Sequence, residues 1–292
     1  MIQFSHHRSI AESLREYGRG VAGGLMFSLP LLYTMEVWWS GFLLHPWRIV
    51  IYGAATFALL LLYNRFAGLR RDASMAEVAI DSVEEMGIGI VLAAFILWLT
   101  GRIDAAMPLL EILGKVCVEA MTVAIGVSVG TAQLGTPDDG EEGLRDDTEV
   151  ETNAYLPQTS IALCGAVLFA ANVAPTDEIS VIASESSPWK LVLIALFSVG
   201  LGSVVLHFVG FRGADRFVLR GGFIVAARGI VTTSAVSLAA SWALLWFYGK
   251  LDGEPFQTCL AMTIVLGLPA VLGASAGRML MQSGETPPTG KS

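Results

Sequence analysis

Apolar runs of about twenty residues recur along this chain, with short polar segments between them. A helix rising 1.5 Å per residue needs about twenty residues to cross a hydrocarbon layer of about 30 Å. The pattern predicts spans at 20–43, 48–66, 78–100, 106–131, 157–181, 189–209, 222–248 and 257–280. No segment has the ten-residue alternation of a membrane β-barrel. The expected fold is an all-α polytopic membrane protein with eight transmembrane helices.

Two of these spans contain a polar interruption. The fifth reads "ANVAPTDEI" from Ala171 to Ile179, and the first reads "PLLYTMEVW" from Pro30 to Trp38. The two fall in register at a shift of 142 residues, which lays Thr34 on Thr176 and Glu36 on Glu178. Pro46-Trp47 then falls on Pro188-Trp189. Further on, "WLTGRID" from Trp98 matches "WFYGKLD" from Trp246, and "GVSVG" from Gly126 matches "GASAG" from Gly273. The chain reads as two four-helix repeats. Four spans per half make the repeats parallel, with a pseudo-two-fold axis along the membrane normal.

The expected organisation is an amphipathic N-terminal segment (1–19) with a Ser9–Glu12 capping box, a first repeat (20–133), an acidic linker (134–156), a second repeat (157–281) and a tail (282–292). The first apolar run is too long for a signal-peptide core and has no small-residue cleavage site.

Composition agrees with a membrane location. Charged residues make up 15% of the chain, and mean hydropathy is +0.62. A soluble domain carries about 25% charged residues. Twelve Lys and Arg fall on the side of the termini and four on the other, with Lys115 and Arg228 inside spans. The positive-inside rule then places both termini in the cytoplasm. Cys117, Cys164 and Cys259 all lie in apolar runs without metal or disulfide spacing.

The candidate chemistry is a cation site at the two interruptions. Proline removes a backbone donor and frees a carbonyl, and carbonyl, hydroxyl and carboxylate oxygens are hard ligands. Glu36, Glu178, Asp177, Thr34, Thr176 and Asn172 form the expected site, with Glu36 and Glu178 facing each other across the axis and serving as the metal-binding pair. The alternative is that each glutamate is a wet residue at a helix end. Intramembrane acids are costly and point to function. Glu111, Lys115, Glu119 and Thr122 form one stripe, in which Lys115 has the spacing to pair with either glutamate. Asp81, Glu84 and Glu85 share a face at the cytoplasmic end of the third span, with Arg228 as their expected counter-charge. These acids read either as a proton relay with Lys115 and Arg228 as counter-charges, or as buried pairs that fix helix register.

Both G-x-S-x-G matches lie in apolar helices, without the strand–turn–helix setting of a nucleophile. They read as close-packing motifs, Gly126 with Gly130 and Gly273 with Gly277. No enzyme activity, cofactor or nucleic-acid partner is expected.

"NVAPTDEI", the paired T-x-E motifs and the eight-span layout resemble a family of bacterial integral membrane proteins of unknown function. The resemblance covers nearly the whole chain and implies an inner-membrane location, with no established activity to carry over. The expected function is cation transport, by exchange for protons. A cation channel and a non-transporting sensor or assembly protein are the alternatives. The expected partners are the lipid bilayer and a small cation or proton.

Overall fold

The computed structural model describes residues 10–68, 73–134, 155–208 and 222–282. Among them are ten helices and no strand: α1 (Ile10–Leu32), α2 (Met35–Leu43), α3 (Pro46–Ala67), α4 (Met75–Leu99), α5 (Leu109–Gln133), α6 (Tyr155–Ala170), α7 (Glu178–Glu185), α8 (Pro188–Phe208), α9 (Gly222–Phe247) and α10 (Phe256–Gln282). The Ser9–Glu12 box, the acidic linker over 135–154 and the tail beyond Gln282 lie outside the described residues, as do Arg70, Arg71, Arg145, Arg212, Arg216 and Arg220.

The all-helical membrane architecture is as expected. Six unbroken helices are long and apolar enough to cross a bilayer, and α1 with α2 makes a seventh if the bent pair is one span. α6, with 16 residues, is shorter than a full crossing. It ends where the polar interruption begins.

Helix burial identifies the core. In α5, 83% of the apolar window is inside the protein, and in α10, 67%. α8 has 11% buried and turns Val192, Leu193, Leu196 and Phe197 outward, as a lipid-facing helix does. α5 packs against α1, α2, α3 and α4, and α10 against α6, α7, α8 and α9. α3 meets α6 across the junction between these two groups.

Glycines set the closest approaches. A Cβ on Gly23 of α1 would strike the Gly130 backbone of α5, and one on Gly165 of α6 would strike the Gly273 backbone of α10. Absence of side chains lets these backbones touch, which is how membrane helices associate without a hydrophobic driving force. The small-residue reading of "GVSVG" and "GASAG" therefore matches their packing.

The end of the bundle where α1 begins is here called the near end, and the end joined by the α9–α10 loop the far end. Aromatics gather at the far end, where Trp47 and Trp246 lie 5.5 Å apart. The Arg48 guanidinium stacks on both rings, 5.7 and 5.3 Å from their centroids, and Arg102 stacks on Trp38 at 4.6 Å. Such rings mark the level of a membrane–water interface.

Candidate functional site

The two polar interruptions are helix breaks. α1 stops at Leu32 and α2 starts at Met35, turned by 84°. Thr34 sits between them in an extended conformation (φ −93°, ψ 117°). Pro30 lacks the donor that would continue the ladder. In the second break, residues 171–177 form turns between α6 and α7.

The hydroxyls and amide expected to bind a cation have protein partners here. Thr34 Oγ1 donates to Pro30 O at 2.7 Å, and Thr176 Oγ1 to Val173 O at 2.9 Å. Asn172 reaches from the second break to α1. Its Oδ1 accepts from Leu31 N at 3.2 Å, and its Nδ2 donates to Phe27 O at 3.1 Å and to Leu168 O at 2.7 Å. Asp177 pairs with Lys250 of the α9–α10 loop at 2.6 Å. Glu36 and Glu178 occupy the first turns of α2 and α7, where the helix dipole favours an acid. Glu36 is half-buried and Glu178 exposed. Neither belongs to a group of three or more His, Cys, Asp or Glu able to hold a metal ion, and no such group exists among the described residues.

A second acid lies level with the first break. α1 runs antiparallel to α5, with Gly20 against Thr131, Gly23 against Gly130 and Leu32 in one cluster with Ala120. The break therefore falls near residue 119 of α5, about 15 Å along that helix from its far-end start. Glu119 is fully buried, and neither carboxyl oxygen has a hydrogen-bond partner.

Of the two glutamates within reach of Lys115, the structure pairs it with Glu111. Lys115 Nζ points to the far end, where it meets Glu111 Oε1 at 2.6 Å, Arg102 O at 3.2 Å and the Phe42 ring at 5.6 Å. A lysine extends its ammonium toward the wetter end of a span, and that selects Glu111.

Buried hydroxyls lie on the same stretch of α5 and on the helices packed near it. Thr122 stands one turn along α5, and its Oγ1 lies 3.2 Å from Tyr52 Oη of α3. The Tyr52 ring stacks on Phe247 with centroids 4.0 Å apart. The next residue, Tyr248, is buried beside Tyr52, with its hydroxyl toward the Tyr52 hydroxyl. Both tyrosines lie within electrostatic range of Glu119. Thr56, one turn from Tyr52, also has a buried hydroxyl without a partner.

A third group lies toward the near end. Asn64 of α3 donates to Glu85 Oε2 at 2.7 Å and to Ser82 Oγ at 3.1 Å, and accepts from Ser128 Oγ at 2.9 Å. All four side chains are buried. Asn64, Glu85 and Ser128 line the floor of a cleft whose walls include Glu16, Asp81 and Glu84. Glu85 thus takes neutral donors, with Asp81 and Glu16 as charged neighbours. Arg228 is exposed on α9.

The family model described as "Putative integral membrane protein (DUF2391)" matches residues 16–281. The chain belongs to this family. Neither a curated protein nor a solved structure gives a match. Membership fixes an integral membrane protein and assigns no activity, so the function of this DUF2391 member is argued from its own residues.

Several of those residues escape the sequence reading. Asn64 sits in "LLLLYNRF", where one amide in an apolar run is the available signal. Ser128 hides inside a packing motif. Tyr52 and Tyr248 read as belt or core aromatics, because nothing local brings them to Glu119.

Proposed function

We propose that this protein moves a small cation across the bilayer in exchange for protons, and that Glu119 is the carboxyl group through which the exchange passes. The observation that carries the reading is an orphan acid at mid-span. A carboxylate with no partner in a low-dielectric interior is costly, and such a group persists where a proton or cation neutralises it.

The surroundings fit a carrier. Near Glu119 one span is broken and bent, and local changes at such a break can alter access without unfolding a whole helix. The cleft of Glu16, Asp81 and Glu84 leads to Glu85, a route for cations and protons from the near end. Ser128 of that floor and Thr122 beside Glu119 are six residues apart on α5, about 9 Å of rise. Glu36 and Glu178 would serve as acids on the opposite approach. Asp177, paired with Lys250, would hold the far-end loop instead of a cation.

In this reading the chain has eight crossings in two parallel repeats. The order of helices supports it, since α1–α5 is followed by the same sequence of long, short and long helices in α6–α10. The glycine contacts support it too: Gly23 with Gly130 corresponds to Gly165 with Gly277, and Gly126 to Gly273. The orphan acid belongs to the first repeat alone, because Leu266 occupies the position of Glu119 in the second. In this reading the near end faces the cytoplasm of a bacterial cell, and the excess of Lys and Arg on that side supports the orientation.

The test is flux. Protein reconstituted in liposomes with an entrapped pH dye receives imposed gradients of sodium, potassium, magnesium, calcium or manganese ions. A pH change driven by one of these ions supports exchange. No change with any ion, from folded protein, rules the reading out.

A further inference from the structure

From the unpartnered buried carboxyl of Glu119 and the Thr122–Tyr52 hydroxyl pair one turn along α5 we infer a binding site for an alkali-metal cation, formed by Glu119, Thr122 and Tyr52 of the first half and closed by Tyr248 from the end of α9. The inference deepens the exchange reading, because it rests on Glu119 as the exchanging group and names the class of cation.

The argument begins with charge. The site has one carboxylate, and its other polar groups are neutral hydroxyls: Thr122 Oγ1 and Tyr52 Oη, 3.2 Å apart, and Tyr248 Oη. Lys115, one turn along α5 from Glu119, is committed to Glu111 at 2.6 Å. A single negative charge balances a single positive one. Magnesium and calcium ions take more oxygen ligands and commonly two or more carboxylates, whereas this site has Glu119 alone. Copper and zinc favour sulfur or imidazole ligands, which this set does not contain.

The second argument is the pattern of unused hydrogen-bonding capacity. Both oxygens of Glu119 are buried without a partner. Buried polar groups in folded proteins are nearly always satisfied, and exceptions require a reason. A bound cation would engage the carboxylate and the hydroxyl oxygens together. A proton on Glu119 would neutralise the same charge, so proton and cation compete for one site.

The third argument is closure. Tyr248 opens the α9–α10 loop, which turns at Gly249 (φ +73°) and Gly253 (φ +78°). Two ion pairs pin that loop: Arg48 to Asp252 at 2.8 Å and Lys250 to Asp177 at 2.6 Å. Release of the loop would lift Tyr248 from Glu119 and open the site to the far end.

The experiment uses the full chain purified in detergent. Its unfolding temperature is followed while sodium or potassium chloride replaces choline chloride at fixed ionic strength, at pH 6 and pH 8.5. The expected result is an unfolding temperature that rises with the alkali ion, as for any ligand of the folded state. The rise is larger at pH 8.5, where fewer protons compete. Glu119→Gln abolishes the rise, and Tyr52→Phe or Tyr248→Phe shifts it to several-fold higher salt. Stabilisation by magnesium or calcium in place of the alkali ions would overturn the inference. So would an alkali effect that survives Glu119→Gln, or no alkali effect at either pH. Proton flux in liposomes that Glu119→Gln abolishes, without alkali binding, would overturn this site and leave the exchange reading standing.

Discussion

Asn172 straddles the Phe27–Leu31 rung of α1, accepting from Leu31 N at 3.2 Å and donating to Phe27 O at 3.1 Å. The side-chain amide thus acts as an extra peptide unit at the turn where Pro30 withholds a donor. It ties the break after α6 to the break after α1, across 141 residues of sequence.

Replacement of this amide should follow a definite order. Asn172→Ala removes bonds to three backbone groups and is expected to cost ~1–3 kcal/mol. Asn172→Asp should cost more, because a carboxylate offers no donor to Phe27 O or Leu168 O and brings a charge into the break. Unfolding temperature in detergent checks the order: wild type highest, then alanine, then aspartate.

The glycine crossings give a test of the repeat as well as of packing. Gly23→Leu and Gly165→Leu should be equally damaging, each costing about 3 kcal/mol or more, since a backbone must move to admit the side chain. Gly87→Leu and Gly200→Leu should be tolerated, because a Cβ there meets nothing within 4 Å. The recovery of monodisperse protein from each variant is the readout.

How much of this was legible in the sequence depends on the range of the interaction. Proline, threonine and an acid in one apolar run marked both breaks, because those residues act on their own turn. The fate of the hydroxyls was harder to read. Thr34 closes on Pro30 four residues back and Thr176 on Val173 three back, so the ligands drawn toward a cation satisfy carbonyls of their own turn. Lys115 stands four residues from both Glu111 and Glu119, and spacing alone cannot choose. The choice follows from the α4–α5 loop, whose Arg102 carbonyl also accepts from Lys115. Tyr52 and Tyr248 meet Glu119 only through packing of α3, α5 and α9, which no local pattern encodes.

The near-end floor should separate structure from function. Asn64→Ala strands Glu85, Ser82 and Ser128 together and is expected to destabilise the protein by ~1–3 kcal/mol. Glu85→Gln keeps an acceptor for Asn64 and should fold normally, while slowing exchange if the cleft is the entry route. Thermal unfolding and flux, measured on both variants, should move in these opposite senses.

The far-end clasp should be weak in energy and visible in dynamics. Asp252 is half-exposed, and an ion pair of that kind contributes ~0–1 kcal/mol. Asp252→Asn combined with Asp177→Asn should leave the unfolding temperature nearly unchanged. Hydrogen–deuterium exchange across 248–255 should become faster. Arg48→Ala should cost more than either, since it also empties the stack between Trp47 and Trp246.

The most direct measurement compares cation-driven pH change in liposomes for three forms: wild type, Glu119→Gln, and the Glu36→Gln/Glu178→Gln pair. The account predicts that Glu119→Gln abolishes exchange while remaining folded, and that the paired variant is slowed but active. Full exchange by Glu119→Gln, with loss in the paired variant, would contradict it and return the site to the two helix breaks.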